Sequence, residues 1–376
     1  MKSKFNKQSM ITFLKKEAVL VIATALALCS CIVVPPSKAY FNYIDFRVLS
    51  LLFCLMLIVA GFRSIYLFDI LAEKLLKYAH TIRRASLMFI LLCFWGSMVI
   101  TNDVALILFV PFSIFTLKKY MSGRTFIFLI VLETLGANLG SMFTPIGNPQ
   151  NLYIFSTYQM NPLIFFRTMF PYAGISFILL LLSAFLFPKT TIDTKEIKSL
   201  KRSLKPYAFS YLFYTVLFLF ALATVIRIFS FEITLVICII FVFVLNKRLF
   251  LQVDYYLLLT FIAFFIFVGN LGQISQIQNG IQSILQSHEI AVSILLSQII
   301  SNVPATLLLS HFTDNGIRLL IGVNLGGLGT LIASMASLIS YKFYAKEKES
   351  RNLSYFLWFT CFNLVFLGIL LLLVAL

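Results

Sequence analysis

Residues 135–146 read Leu-Gly-Ala-Asn-Leu-Gly-Ser-Met-Phe-Thr-Pro-Ile, and residues 321–332 read Ile-Gly-Val-Asn-Leu-Gly-Gly-Leu-Gly-Thr-Leu-Ile. The two stretches agree at Gly136/Gly322, Asn138/Asn324, Leu139/Leu325, Gly140/Gly326, Thr144/Thr330 and Ile146/Ile332, six identities in twelve positions. Such agreement is hard to reach by chance and marks an internal repeat. Each copy also breaks the helix that carries it. The first runs on through Pro145, Gly147, Asn148, Pro149 and Asn151, and prolines and glycines at this density cannot continue a helix.

The surroundings of both copies are apolar. The 376 residues are 60% hydrophobic and 12% charged, with 41 Phe, whereas a soluble domain is about a quarter charged. Apolar runs near the roughly 20 residues that span a bilayer recur at 18–35, 44–62, 171–188, 207–226 and 354–376. The net charge of +16 does not form a nucleic-acid groove: 25 of the 30 Lys and Arg fall in blocks between apolar runs, at 2–16, 63–84, 118–124, 189–205, 247–248 and 342–351. Under the positive-inside rule these blocks are cytoplasmic. The expected partners are the lipid bilayer and a small-molecule or ion substrate, with no nucleic acid; the sequence leaves room for a homodimer. Basic residues before the first apolar run suggest an export signal, but no small-residue cleavage site closes it, so an uncleaved first helix is expected. The six cysteines lack C-x-x-C spacing and read as lipid-facing or core thiols.

The apolar segment 85–117 has positive charge at both ends, Arg83 and Arg84 before it and Lys118 and Lys119 after. One crossing would put one flank outside, and two need more residues than it has at about 20 each. A re-entrant hairpin satisfies both constraints, with its tip at the polar cluster Thr101-Asn102-Asp103. Preceding it, residues 63–84 read as an amphipathic stretch on the cytoplasmic surface. Following it, residues 124–158 read as a broken transmembrane helix.

After a basic linker and connecting span at 189–229, the same order returns. Two spans and an amphipathic stretch, 271–288, precede a second hairpin at 289–312, with its tip at Ser301-Asn302, and a second broken helix at 316–341. Residues 271–288 contain no Lys or Arg, against five in 63–84, the contrast expected if the second half is upside down. The fold class is therefore an all-α membrane protein, an inverted-repeat transporter with two re-entrant hairpins and two broken transmembrane helices. The repeats are 1–188 and 230–376; nine full crossings put the N-terminus inside and the C-terminus outside. Arg83, Lys118 and Lys195 are expected in the cytoplasm, Gln282 and Leu376 outside.

The stretches Thr101-Asn102-Asp103-Val104-Ala105-Leu106, Thr144-Pro145-Ile146-Gly147-Asn148-Pro149-Gln150-Asn151 and Ser301-Asn302-Val303-Pro304 resemble the ion transporter superfamily, and most closely a branch of bacterial inner-membrane proteins within it. That superfamily includes arsenite permeases, citrate transporters, divalent-anion/sodium symporters and arsenite-permease-like sodium/proton antiporters. In its dicarboxylate members each tip carries Ser-Asn-Thr, whose side chains contact sodium and a substrate carboxylate. The resemblance thus implies site roles for Thr101, Asn102, Ser301 and Asn302, with Na+ at Asn102 and Asn302. Here Asp103 replaces the first-tip Thr, which disfavours a dianion, and Val303 removes the second-tip hydroxyl.

In inverted-repeat transporters, half-helix N-termini attract anions and unwound carbonyls bind cations near mid-membrane. On that ground Asn138, Thr144, Gly147, Asn148, Asn151, Asn324, Thr330 and Ser334 join the tips as candidate substrate or ion contacts. Close helix packing is the competing role for the asparagines and glycines. Asp103 and Glu133 are the acidic residues deep in apolar segments. An intramembrane carboxylate costs at least about 2.5 kcal/mol, so both are candidate coupling groups; the alternatives are a helix cap for Asp103 and an interhelical bond for Glu133. His80, His288 and His311 read as interfacial or structural. No H-E-x-x-H, G-x-S-x-G or phosphate loop occurs, which leaves an enzyme reading without support. The expectation is a permease for a small anion or oxyanion with Na+ or H+ as coupling ion and no cofactor. A sodium/proton antiporter using Asp103, or an arsenite-type efflux permease, is the alternative.

Overall fold

Hydrocarbon offers no water to a polar backbone, so a chain in a bilayer must meet its N–H and C=O groups internally, by helices or a closed barrel. The computed structural model describes residues 17–375 apart from 39, 69, 71–73, 75–77, 122, 193–206, 287 and 348–349. Among the described residues the regular structure is helical, and the one extended pairing is an isolated bridge between Thr81 and Thr191. The basic block 2–16, the middle of the amphipathic stretch 63–84 and most of the linker, including Lys195, lie outside the described residues, as does Leu376.

The first part of the chain forms α1 (Ala18–Val33), α2 (Phe46–Ser64), α3 (Ile82–Ile100), α4 (Asn102–Leu117), α5 (Gly123–Ser141), α6 (Pro149–Thr157) and α7 (Pro162–Ser183). Helix α8 (Ala208–Val225) follows the linker. Then come α9 (Phe231–Asn246), α10 (Tyr255–Gly272), α11 (Ser275–Leu285), α12 (Glu289–Ile300), α13 (Asn302–Leu309), α14 (Gly316–Gly326), α15 (Met335–Ala345) and α16 (Asn352–Ala375). Among the described residues eight helices are long and apolar enough to cross a membrane: α2, α3, α5, α7, α8, α9, α10 and α16. The protein is a multi-pass helical membrane protein, the class its composition calls for.

Two boundaries differ from the sequence expectation. Helix α1 has 16 residues, because the chain turns extended at Val34, ahead of Pro35 and Pro36. Helix α3 starts at Ile82, before the apolar run, since the Thr81 hydroxyl accepts from the Arg84 N–H at 3.3 Å. The backbone N–H groups of Ile82 and Arg83 also bond back to the linker carbonyls of Thr190 and Pro188. At 19 residues α3 is long enough to cross, so length alone does not force it to be re-entrant.

The chain reverses at Thr101. Phe89 packs on Phe112 with ring centroids 5.7 Å apart, and Gly96 faces Phe109, so α3 and α4 lie along each other. Helices α12 and α13 pack likewise about Ser301. The packing between the two parts is reciprocal: α1 lies on α10 and α9 on α2, while α4 lies on α15 and α13 on α6.

Glycines set the closest approaches. A Cβ on Gly136 or Gly140 would collide with the Ile90 or Phe94 carbonyl oxygen of α3; on Gly322 or Gly326 it would collide with Ser293 or Ser297 of α12. We expect Gly140→Ala to lower stability by at least about 1–3 kcal/mol, because the atom it meets is backbone and cannot rotate away. Gly174→Ala, where a Cβ meets nothing within 4 Å, should unfold at an unchanged or higher temperature. Fluorescence-monitored thermal unfolding of both proteins in detergent checks the pair.

Candidate functional site

Both chain reversals use the same strained backbone. Thr101 has φ 72° and ψ 152°, Ser301 φ 75° and ψ 154°, a region that favours glycine and costs of order 1–3 kcal/mol for other residues. The strain is held by hydrogen bonds from the residue that follows. The Asn102 N–H donates to the Gly147 carbonyl at 3.1 Å, and the Asn302 N–H donates to the Ala333 carbonyl at 3.0 Å. A second tether crosses each gap: the Thr144 hydroxyl donates to the Met98 carbonyl at 2.6 Å and the Thr330 hydroxyl to the Gln298 carbonyl at 3.4 Å. Each tip is thereby fixed to the non-helical segment after α5 or α14.

Side-chain amides then join the two parts of the chain. Asn138 Oδ1 accepts from Asn102 Nδ2 at 3.2 Å and from the Ser334 hydroxyl at 3.1 Å, while its Nδ2 donates to Ser337 Oγ at 3.4 Å. Asn324 Oδ1 accepts from Asn148 Nδ2 at 3.2 Å, and its Nδ2 donates to Asn151 Oδ1 at 2.7 Å. Asn138 and Asn324 are partners in the sequence repeat; carried on in the same register, so are Asn148 and Ser334, and Asn151 and Ser337. Each asparagine therefore bonds to the break of the other part. All these side chains are buried or half-buried.

A cavity of about 510 Å³ lies against this network. Thr101, Asp103 and Asn148 are on its wall, with Val303 and Met335 bringing in α13 and α15. The N-termini of α4, α6, α13 and α15 thus face one space. At Thr101, Ser301 and Ser334 the cap residue's own side chain makes no cap bond, although the Asp103 N–H of α4 is met by Asn102 Oδ1; Asn148 caps α6 by accepting from the Asn151 N–H at 2.8 Å. Helix N-termini carry unmet N–H groups and partial positive charge. Arg63, Asp254 and Lys342 lie on the same cavity farther along.

The remaining candidates sit off the wall. Asn102, Asn302, Gly147, Thr144 and Thr330 hold the tips and breaks, and Asn151 Nδ2 is shared among the carbonyls of Ser141, Met142 and Thr144. Asp103 does not cap α4: Thr101 holds the cap position, and the Asp103 N–H donates to Asn102 Oδ1 at 3.0 Å. Glu133 is fully buried away from the cavity, one oxygen accepting from the Ser113 hydroxyl at 3.0 Å and the other without a hydrogen bond. Sequence reading missed Gln298, whose Nε2 donates to the carbonyls of Gly326 and Leu328 at 2.9 Å each. It also missed Ser337, Asp254 and the two cavity cations. The signal for Gln298 was its position three residues ahead of Ser301, the place Met98 holds ahead of Thr101.

Helices that stop and restart around a shared cavity are an arrangement found in membrane transporters. The chain belongs to the citrate transporter family, whose sequence profile matches residues 10–315. It is 36% identical over 306 residues to an uncharacterized transporter of Methanocaldococcus jannaschii, MJ0456, covering 80% of this chain and 82% of that one. It is 34% identical over 318 residues to the inner membrane protein YbiR of Escherichia coli, covering 81% and 82%.

The reciprocal network predicts a measurable coupling. In a double-mutant cycle Asn138→Ala and Ser334→Ala should be non-additive by about 0.5–3 kcal/mol, whereas Asn138→Ala with Gly174→Ala should add. Thermal unfolding of the single and double variants provides the readout.

Proposed function

We propose that the protein is a secondary active transporter of the bacterial inner membrane. It moves a small anion or oxyanion, coupled to Na+ or H+, by alternating access between two inverted halves. The observation that carries this reading is the convergence of four helix N-termini on one cavity, an arrangement suited to binding an anion without a basic side chain at its centre. Reciprocal contacts are what a two-fold axis between halves generates. The charge contrast between residues 63–84 and 271–288 favours an axis in the membrane plane. In this orientation the basic blocks and the N-terminus are cytoplasmic and the C-terminus is outside. The pairs α3–α4 and α12–α13 enter from opposite faces and turn back at the tips, while α5 with α6 and α14 with α15 form two broken spans.

Arg63, Asp254 and Lys342 then mark a cytoplasmic mouth. On the other side α6 meets α13, where the Tyr158 hydroxyl donates to the carbonyls of Ser310 at 3.0 Å and Thr313 at 2.7 Å, and Tyr153 bonds the Ser310 hydroxyl at 2.9 Å. This supports an inward-open state. Coupling Na+ is assigned to the tips at Asn102 and Asn302, and coupling H+ to Asp103.

A second reading, sodium/proton antiport through Asp103, draws on one further observation: Asp103 and Asp254 share the cavity, and two carboxylates in one low-dielectric space attract a cation or a proton. The same pair disfavours a polyanion.

Ligand-dependent thermal shift of the purified protein over a panel of anions, with Na+ or pH varied, tests the main reading. An anion at 100 times its Kd adds about 2.7 kcal/mol; stabilisation by Na+ alone, whatever the anion, selects antiport. Asp103→Asn should fold and insert normally yet lose coupled flux, or its pH dependence, in proteoliposomes. An unchanged rate and pH profile would remove Asp103 from the mechanism.

A further inference from the structure

The cavity beside the tips is polar at its two ends and aliphatic between them. Thr101 and Asp103 stand at the inner end, while Arg63 near the end of α2, Lys342 of α15 and Asp254 before α10 stand at the other. Leu55 and Val59 of α2, Val104 and Ile107 of α4, Leu257 of α10 and Leu338 of α15 make up the wall between. The chain has 41 Phe, yet none of the described residues on this wall is one; its two rings, Tyr256 and Tyr341, lie by Asp254 and Lys342 at the charged end. The tips themselves differ. Thr101 to Asp103 and Ser301 to Val303 are equivalent in backbone and in the repeat, and Asp103 and Val303 both reach the cavity, one as a carboxylate and the other as an isopropyl group.

We propose that the transported anion is an amphipathic monocarboxylate, its carboxylate at the Thr101 tip and its aliphatic chain against Val303. This rests on the anion reading above and narrows it. An inorganic oxyanion would give up its water to pass six aliphatic side chains that offer no hydrogen bond in exchange. A dicarboxylate would set its second charge on that same wall, or beside Asp103 and Asp254. A hydrocarbon chain loses water favourably as it enters, in proportion to its length. An aromatic tail would meet no ring along the wall to stack on.

Val303 is the residue that sets this preference. It follows Asn302 at the start of α13, is 8% exposed and lines the cavity, so a chain reaching the second tip ends on its methyl groups. Threonine has nearly the same shape and differs by a hydroxyl in place of one methyl. Val303→Thr therefore changes the chemistry of the wall without opening a hole in it.

Thermal shift of the purified full-length protein, titrated with acetate, butyrate and hexanoate at one pH and with inorganic phosphate, sulfate and hexylammonium beside them, is the test. Each added methylene should lower Kd about fourfold, from about 0.8 kcal/mol at about 1.4 kcal/mol per tenfold. Hexanoate should then bind about 200-fold more tightly than acetate. Val303→Thr should weaken hexanoate about tenfold and leave acetate unchanged, whereas uptake of hexanoate by detergent is the same for both proteins. Three results would overturn the amphipathic solute and leave the anion reading standing: carboxylates that bind without regard to chain length, which needs no variant; phosphate or sulfate binding as tightly as hexanoate; or a series that Val303→Thr does not move. Binding of hexylammonium but of no anion, or binding of none of these probes, would overturn both.

Discussion

A backbone group left unpaired in hydrocarbon costs several kcal/mol, and this chain leaves its helices at mid-sequence in four places. What makes that tolerable is one repeated bond, from the first N–H after a strained tip to a carbonyl in the adjacent break, Asn102 to Gly147 and Asn302 to Ala333. Everything else at the centre follows from it. The tip can stay at positive φ because its neighbour is anchored, and the break can stay unwound because Asn151 in one place and Gln298 in the other collect its carbonyls. With tips and breaks fixed, the helix N-termini they release have a common space to face.

The two ends of the molecule solve the same contact with different chemistry. Where α4 meets α15 the pair is Lys118 with Glu347. Where α6 meets α13 it is tyrosine hydroxyls on Ser310 and Thr313. A half-buried ion pair is weakened by salt, whereas hydroxyl-to-carbonyl bonds carry no net charge to screen.

The tips and breaks were legible in the sequence because Thr-Asn-Asp, Ser-Asn and Pro/Gly/Asn clusters are costly in apolar surroundings and stand out against them. The Asn138/Asn324 match was legible too, but not what each asparagine touches: Ser334, Ser337, Asn148 and Asn151 come from the other part of the chain, and spacing along one helix cannot report that. Gln298 and Ser337 were missed because a single amide or hydroxyl in an apolar run reads as ordinary interhelical packing. Asp254 was missed because it begins a helix, and it does cap α10, accepting from the Leu257 N–H at 3.0 Å; its second face on the cavity is visible only in three dimensions. The start of α3 was misplaced because Thr81 and the returning linker, rather than hydrophobicity, set it.

The central claim is that the two hairpins are equivalent elements entering from opposite sides of the membrane. Arg84 in the first turn of α3 and Ser283 near the end of α11 are both exposed and hold nearly corresponding places at the feet of the two hairpins. In a background with the six native cysteines replaced, single cysteines at these positions can be probed with a membrane-impermeant thiol reagent in sealed right-side-out and inside-out vesicles. The account predicts that Arg84→Cys reacts only in inside-out vesicles and Ser283→Cys only in right-side-out vesicles. Reaction of both from the same face would contradict it.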